Sequence, residues 1–218
     1  VVAVNSLPCL PSSSRKLLDE GLVALGLASG LAEPLQHYVR LLLLWNGTFN
    51  LTAIRDADAI MTKHVLDCLA MVTFVQQQSL VDVGSGAGLP GLVLALARPN
   101  LQVVLVETAG KKARFLREAL RALELGERVQ VQAVRAEALV LGEGSALLTA
   151  RAFGTIEEIL RVAGHLLAPE GRLLAMKGRR EELLAEPMLP GWALLECHRL
   201  QVPGLAAERH LAVVGRCV

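Results

Sequence analysis

Aromatic side chains are scarce, with Phe, Trp and Tyr together making up 3% of the 218 residues. That excludes a broad base-stacking surface of the kind that reads single-stranded RNA, and it leaves the core to Leu, Val and Ala. Neither sign of charge dominates, with 22 Lys and Arg against 21 Asp and Glu. A global electrostatic field is therefore absent, and any nucleic-acid contact has to come from a local basic patch. The four cysteines, Cys9, Cys68, Cys197 and Cys217, form no C-x-x-C pair. That pattern points away from a zinc site or a redox pair and toward a reducing cytoplasm. The opening residues lack the basic region of a secretory signal. The apolar run 41–45 falls far short of the roughly 20 residues that span a bilayer, so no membrane partner is expected.

Hydrophobic residues are abundant at 53%, enough for a sizeable core. The length suits one domain with an extension, and the rhythm of the chain divides it into a helical N-terminal extension, residues 1–78, and an α/β domain, residues 79–218. In the first part the apolar spacing predicts helices over 15–27, 31–45 and 58–74. Ser12, Ser13 and Ser14 offer an N-cap for the first, and Asn46-Gly47-Thr48 reads as the stop of the second. From Leu80 short apolar runs alternate with helical stretches, the signature of βαβ units and a parallel sheet. Strands are expected at 80–83, 103–107, 129–134, 147–150, 172–177, 193–198 and 210–214, with helices at 91–97, 111–125 and 156–167. Right-handed crossovers would place the helices on both faces. The last two strands, joined without a helix, would pair antiparallel at one edge.

The most informative segment is Asp82-Val-Gly84-Ser-Gly86-Ala-Gly88-Leu89-Pro-Gly91, lying between a strand and a helix. Glycines there let the backbone turn tightly and a ligand approach closely. Gly86, Gly88 and Gly91 fit the dinucleotide pattern; Asp82 followed by Gly84, Gly86 and Gly88 fits S-adenosylmethionine (SAM). A carboxylate before the loop would repel a pyrophosphate and attract a sulfonium, so SAM is the preferred reading. Glu107, at the end of the next strand, is placed to accept both ribose hydroxyls of either cofactor. Ala136 and Glu137, after the third strand, are placed to meet an adenine edge, although an acid at a helix N-terminus needs no ligand to explain it.

On these blocks the chain resembles the bacterial small-subunit rRNA guanine-N7 methyltransferases, the RsmG (GidB) family. The likeness runs from about Leu35 to Val214. It rests on Asn50-Leu-Thr-Ala-Ile-Arg55, Lys63-His64-Val-Leu-Asp67, the glycine loop, Gly110-Lys111-Lys112-Ala-Arg114-Phe-Leu116, Thr149-Ala-Arg151-Ala152, Ala175-Met-Lys177-Gly178 and Glu208-Arg-His-Leu211. The resemblance implies a Rossmann-like SAM-dependent methyltransferase sheet preceded by helices, acting on N7 of a guanine in 16S rRNA within the small ribosomal subunit. It matches Gly84 and Leu89 to loop contacts with the cofactor, Glu107, Thr108 and Ala109 to the ribose corner, Ala136 and Glu137 to adenine, and Arg151 to the edge of the site. Two positions depart: Cys68 stands where the family usually has Ser, and Leu89 where Phe is frequent.

Guanine N7 presents an in-plane lone pair, so its methylation needs orientation more than a base. Asp67, or the side-chain carbonyl of Asn50, is a candidate to stabilise the cationic product, and His64 is a candidate to order the pocket with Asp67 one turn along. Each has a plainer reading as well: His64 as a core or capping group, Asn50 as a loop cap, Arg151 as a surface charge. Lys111, Arg114, Arg117 and Arg121 share one helix face, and Lys177, Arg179 and Arg180 cluster after another strand. Lys111, Arg114, Lys177, Arg179 and Arg180 are the candidates for RNA phosphates; solvated partners such as Glu118 are the alternative for the helix. No metal is expected, and a monomer is. The rivals are an NAD-dependent oxidoreductase and an RNA-binding module without catalysis.

Overall fold

The computed structural model describes residues 7–217; the opening residues searched for a secretory signal lie mostly outside them. Three helical stretches come first: α1 (Ser12–Ala24), α2 (Ala32–Phe49) and α3 (Ala57–Ile60). The third continues directly as a π-helical stretch, Met61–Leu66, and a last α-turn, Asp67–Leu69. The sheet then follows with β1 (Ser79–Val83), α4 (Gly91–Ala97), β2 (Gln102–Val106), α5 (Gly110–Ala122), β3 (Val129–Gln132), β4 (Ser145–Ala150), α6 (Ile156–Ala163), β5 (Leu167–Lys177), α7 (Arg180–Leu184), β6 (Trp192–Arg199) and β7 (His210–Arg216).

The seven strands run in the order β3-β2-β1-β4-β5-β7-β6. The first five are parallel, and β7 lies antiparallel to both β5 and β6. The expected final pair therefore forms, but β7 inserts next to β5 and β6 takes the edge. Apolar β-branched and Leu residues on both sides of the strands fit a sheet covered twice. One hydrophobic cluster joins α4, α5 and the N-terminal helices on one face; a second gathers α6 and α7 on the other. The N-terminal helices share their cluster with the sheet, through residues such as Leu18, Tyr38 and Leu66.

Two sequence expectations fail locally. Asn46-Gly47-Thr48 does not stop α2, which runs to Phe49 and ends on Asn50 in the left-handed region at φ 49°. Asn46 is buried, and its amide instead donates to the Ile54 carbonyl at 3.2 Å and accepts from the Thr52 amide at 3.0 Å. A polar residue in mid-helix is tolerated because it satisfies the neighbouring loop. The serine run does not cap α1, whose N-cap is Pro11. Ser13 and Ser14 hydroxyls donate to Asp58, tying α1 to α3. Gly21 allows that approach, since a Cβ there would fall 2.4 Å from a Leu66 methyl.

Candidate active site

The glycine loop leaves β1 at its carboxyl end and is held in place by its own acids. Asp82 is fully buried. Its Oδ2 accepts from the Gly91 amide at 2.9 Å, and its carbonyl accepts from the Ser85 hydroxyl at 2.7 Å. The other oxygen, Oδ1, has no partner, the one such buried side-chain atom among the described residues. Burial pushes the Asp82 carboxyl up to about 7, against the pull of the Gly91 amide. This corrects the sequence reading: Asp82 does not face a ligand, so its charge cannot choose a sulfonium over a pyrophosphate.

The same geometry nevertheless disfavours a dinucleotide, for a different reason. A pyrophosphate needs free amides at the helix start. Here the Gly91 amide is taken by Asp82, the Gly88 and Leu89 amides by the Ser85 carbonyl, and the Leu92 amide by Gly88. A Cβ on Gly88 would meet Leu92 at 2.9 Å and Leu116 at 3.1 Å, so that glycine faces packed side chains. Leu89 is buried, as is Cys68, whose thiol burial pushes up to about 12. Tyr38, buried in α2, donates to the Ala87 carbonyl at 2.9 Å and pins the loop from the helical side.

Two cavities open at the carboxyl edge of the sheet. The smaller, about 190 Å³, is bounded by Gly84, Glu107, Thr108, Ala136, Glu137 and Phe153 among others. Glu107 reaches it with a fixed carboxylate: Oε2 accepts from the Gly86 amide at 2.9 Å and Oε1 from the Ala109 amide at 2.7 Å. Gly86 and Ala109 thus orient the acid and do not line the cavity. A carboxylate held this way has lone pairs left for two ribose hydroxyls, and a glycine at position 84, with φ 67°, lets the Phe153 ring close against the loop. These residues fit an adenosine.

The larger cavity, about 440 Å³, is bounded by Lys63, His64, Asp67, Arg151, Phe153 and Arg209 among others. Asp67, on the turn after the π-helical stretch, is buried between two guanidiniums. Arg209 Nε donates to Oδ1 at 2.9 Å, and Arg151 donates to Oδ2 at 3.4 Å. Burial raises the Asp67 carboxyl despite the opposing pull of Arg209 and Arg151. Arg151 also donates to the Lys63 carbonyl and to His64 Nδ1, each at 3.1 Å. Nδ1 also lies 3.0 Å from the Lys63 carbonyl, which can only accept, so the Arg151 contact asks for a bare Nδ1 and the Lys63 contact for a protonated one, while Nε2 sits 2.8 Å from the Thr52 hydroxyl. Burial, then Arg151, lowers His64 to about 4. That lowering keeps the imidazole neutral near pH 7, with both ring nitrogens engaged inside the protein.

Of the remaining candidates, Asn50 is not brought in. It is exposed, and its Oδ1 accepts from Arg55 at 2.7 Å. Lys177 is held by the Gly154 carbonyl and Glu186, while Arg179 makes an exposed pair with Glu182. Lys111, Arg114 and Arg180 are exposed, with Arg114 stacked 6.0 Å over Trp45, while Arg121 pairs with Glu118. Arg209 was missed as a site residue. Its only sequence signal was its place in the Glu208-Arg-His-Leu211 block. No group of three or more His, Cys, Asp and Glu able to hold a metal occurs among the described residues, and none of their helices is long and apolar enough to cross a membrane.

Comparison with known proteins agrees with this geometry. A family described as rRNA small subunit methyltransferase G (GidB) matches residues 31–212. The ribosomal RNA small subunit methyltransferase G of Stenotrophomonas maltophilia (strain K279a) is 54% identical over 207 residues, covering 94% of this chain and 96% of its own. Among solved structures, the mitomycin 7-O-methyltransferase MmcR aligns with a TM-score of 0.56 at 15% identity, over 73% of this chain and 56% of its own. TrmN from Thermus thermophilus aligns with a TM-score of 0.51 at 21% identity, over 72% and 53%. At those identities the solved structures speak for the fold alone, a SAM-dependent methyltransferase sheet, and this chain spans little more than half of each. On the family match and the identity together, the chain belongs to the rRNA small subunit methyltransferase G family.

Proposed function

We propose that this protein transfers the methyl group of SAM to N7 of a guanine in the 16S rRNA of the small ribosomal subunit. The observation that carries this reading is the meeting of two cavities at Phe153, one beside the oriented Glu107 carboxylate and one above the Asp67, Arg151 and Arg209 cluster. SAM, when bound, supplies a methyl group on a positively charged sulfur. In this reading Glu107 holds the ribose, Gly84 and Thr108 border the cofactor, and Ala136 and Glu137 border the adenine.

The cluster of two guanidiniums and one carboxylate carries one net positive charge. It suits an anion better than a cationic base. Asp67 therefore serves to hold Arg151 and Arg209, whose free N–H groups face a phosphate of the target nucleotide. No base is required, and the neutral, engaged His64 is not positioned to act as one. Orientation of N7 toward the methyl donor can supply up to about 7–11 kcal/mol of the barrier. Exposed Lys111, Arg114 and Arg180 extend the contact along RNA phosphates. An rRNA substrate supports a cytoplasmic location. The N-terminal extension, through its described helices α1 to α3, would then wall the acceptor side.

The test offers labelled SAM with free 16S rRNA, small subunits and whole ribosomes, and maps the modified base. SAM at 100 times its dissociation constant should add about 2.7 kcal/mol of stability; protection by NAD in its place would sink the reading. RNA binding without label transfer would favour a non-catalytic module.

A further inference from the structure

We infer that Phe153 is the platform on which the acceptor purine stacks, a positioning residue at the wall shared by the cofactor and acceptor cavities. The inference rests on the methyltransferase reading above and names a contact within it.

The chain has four phenylalanines. Phe115 is fully buried, Phe49 packs on Trp45, and Phe74 packs on His198. Phe153 is 38% exposed and makes no ring contact of that kind among the described residues. It is also the one side chain of the four that lines a cavity at the sheet edge, and it lines both. Single exposed apolar residues are ordinary on a protein surface; what sets this ring apart is its place on the walls of both cavities.

The backbone presents this ring deliberately. Ala152, just before it, sits in the left-handed region at φ 54°, which an alanine reaches only against steric resistance. The segment is fastened on both sides. Arg151 is tied to Asp67, His64 and the Lys63 carbonyl. Lys177 donates to the Gly154 carbonyl at 2.8 Å, and Thr155 forms a capping box with Glu158 at the start of α6. Lys177 thus acts as a latch on this loop, and its carboxylate partner Glu186 also accepts from the Ile156 amide at 2.7 Å. The ring comes to rest on the cofactor loop: a Cβ on Gly84 would fall 2.7 Å from Phe153 Cδ2.

A base entering the larger cavity therefore meets the Phe153 ring on its way to the cofactor side. A planar π-face there orients a purine without reading its edge, which leaves N7 free to point at the donor. The arginines hold its phosphate, so base and backbone are fixed by separate groups.

The experiment compares wild type with Phe153→Leu, Phe153→Tyr and Phe153→Trp at this partly exposed position, with the fold of each checked by thermal unfolding. SAM affinity is measured without RNA, and label transfer is measured on small subunits and 16S rRNA. Phe153→Leu keeps the apolar bulk; it should bind SAM within about twofold of wild type and lose about 10- to 100-fold in kcat/KM for RNA, the span of a lost base–aromatic stack. Tyr and Trp should restore most of the transfer. Full transfer by the Leu variant overturns the platform while leaving the methyltransferase reading intact. A parallel loss of SAM affinity overturns it too, because the ring would then be a wall for the cofactor alone. Absence of transfer by the wild type itself overturns both readings.

Discussion

Asp67 and Arg209 stand 142 positions apart in the chain and 2.9 Å apart in the fold. Their contact joins the turn after the π-helical stretch to the residue before β7, and Arg151, from the end of β4, closes the cluster from the third side. A buried carboxylate is costly unless its partners are well placed, and here two guanidiniums share it. Two elements with no sequence proximity are thereby locked around one cavity.

Removing either member of that pair should separate binding of RNA from binding of cofactor. Asp67→Asn is expected to lower kcat/KM for rRNA by about tenfold or more, a change of about 1.4 kcal/mol, with SAM affinity unchanged. Arg209→Ala should also destabilise the fold, toward the lower end of the roughly 3–5 kcal/mol of a broken buried pair, because Arg151 remains and Arg209 is 27% exposed. Urea unfolding and steady-state methylation together check both; wild-type kinetics in Asp67→Asn would remove the cluster from the mechanism.

Asp82 should behave as a structural acid. Asp82→Ala leaves the Gly91 amide without its buried acceptor, at a cost of about 1–3 kcal/mol, and the loosened loop should lose SAM protection in a thermal shift. Asp82→Asn keeps an acceptor oxygen and should retain most of both. If the alanine variant unfolded and bound SAM as the wild type does, the loop would owe nothing to this contact.

The pH dependence of stability has a worked sign at His64. Its pKa falls from 6.5 unfolded to about 4 folded. Its contribution is complete above pH 6.5 and is lost as pH drops toward 4, because only the unfolded chain takes up the proton; the loss amounts to about 3 kcal/mol. Asp82 runs oppositely. Raised from 3.8 to about 7, it contributes most at low pH and loses that contribution as pH rises through 7. The stability advantage of wild type over His64→Gln should therefore shrink steadily between pH 6.5 and 4.5. A constant difference across that window would show that His64 is not held neutral.

The RNA face can be read by salt. Arg180→Ala and Lys111→Ala should each reduce the slope of log K against log salt by about 1. Arg179→Ala should reduce it less, since Arg179 lies 2.5 Å from Glu182. Slopes unchanged from wild type in all three variants would place the RNA elsewhere.

Much of this architecture was legible in the order of residues. The alternation from Leu80 onward gave the strands and crossover helices within a few positions, because burial on both faces of a parallel sheet writes continuous apolar runs into the chain. Asp82 misled for a physical reason: a carboxylate beside glycines reads the same whether it faces a ligand or caps the loop's own amides. Asn46 misled in the same way, since its buried amide serves a loop that the local pattern does not reveal.

The sequence by itself determined the doubly covered sheet, the glycine turn at its carboxyl edge and the family, since these rest on local periodicity, backbone freedom and blocks of contiguous residues. Only the tertiary structure decided which charges are spent and which are free. It turned Asp82 inward, paired Lys177 with Glu186, left Arg179 in an exposed pair with Glu182 and Asn50 outside, and brought Arg209 and Phe153 to the cavities. Charge pairing and burial depend on distances between segments far apart in the chain, and those distances exist only once the chain has packed.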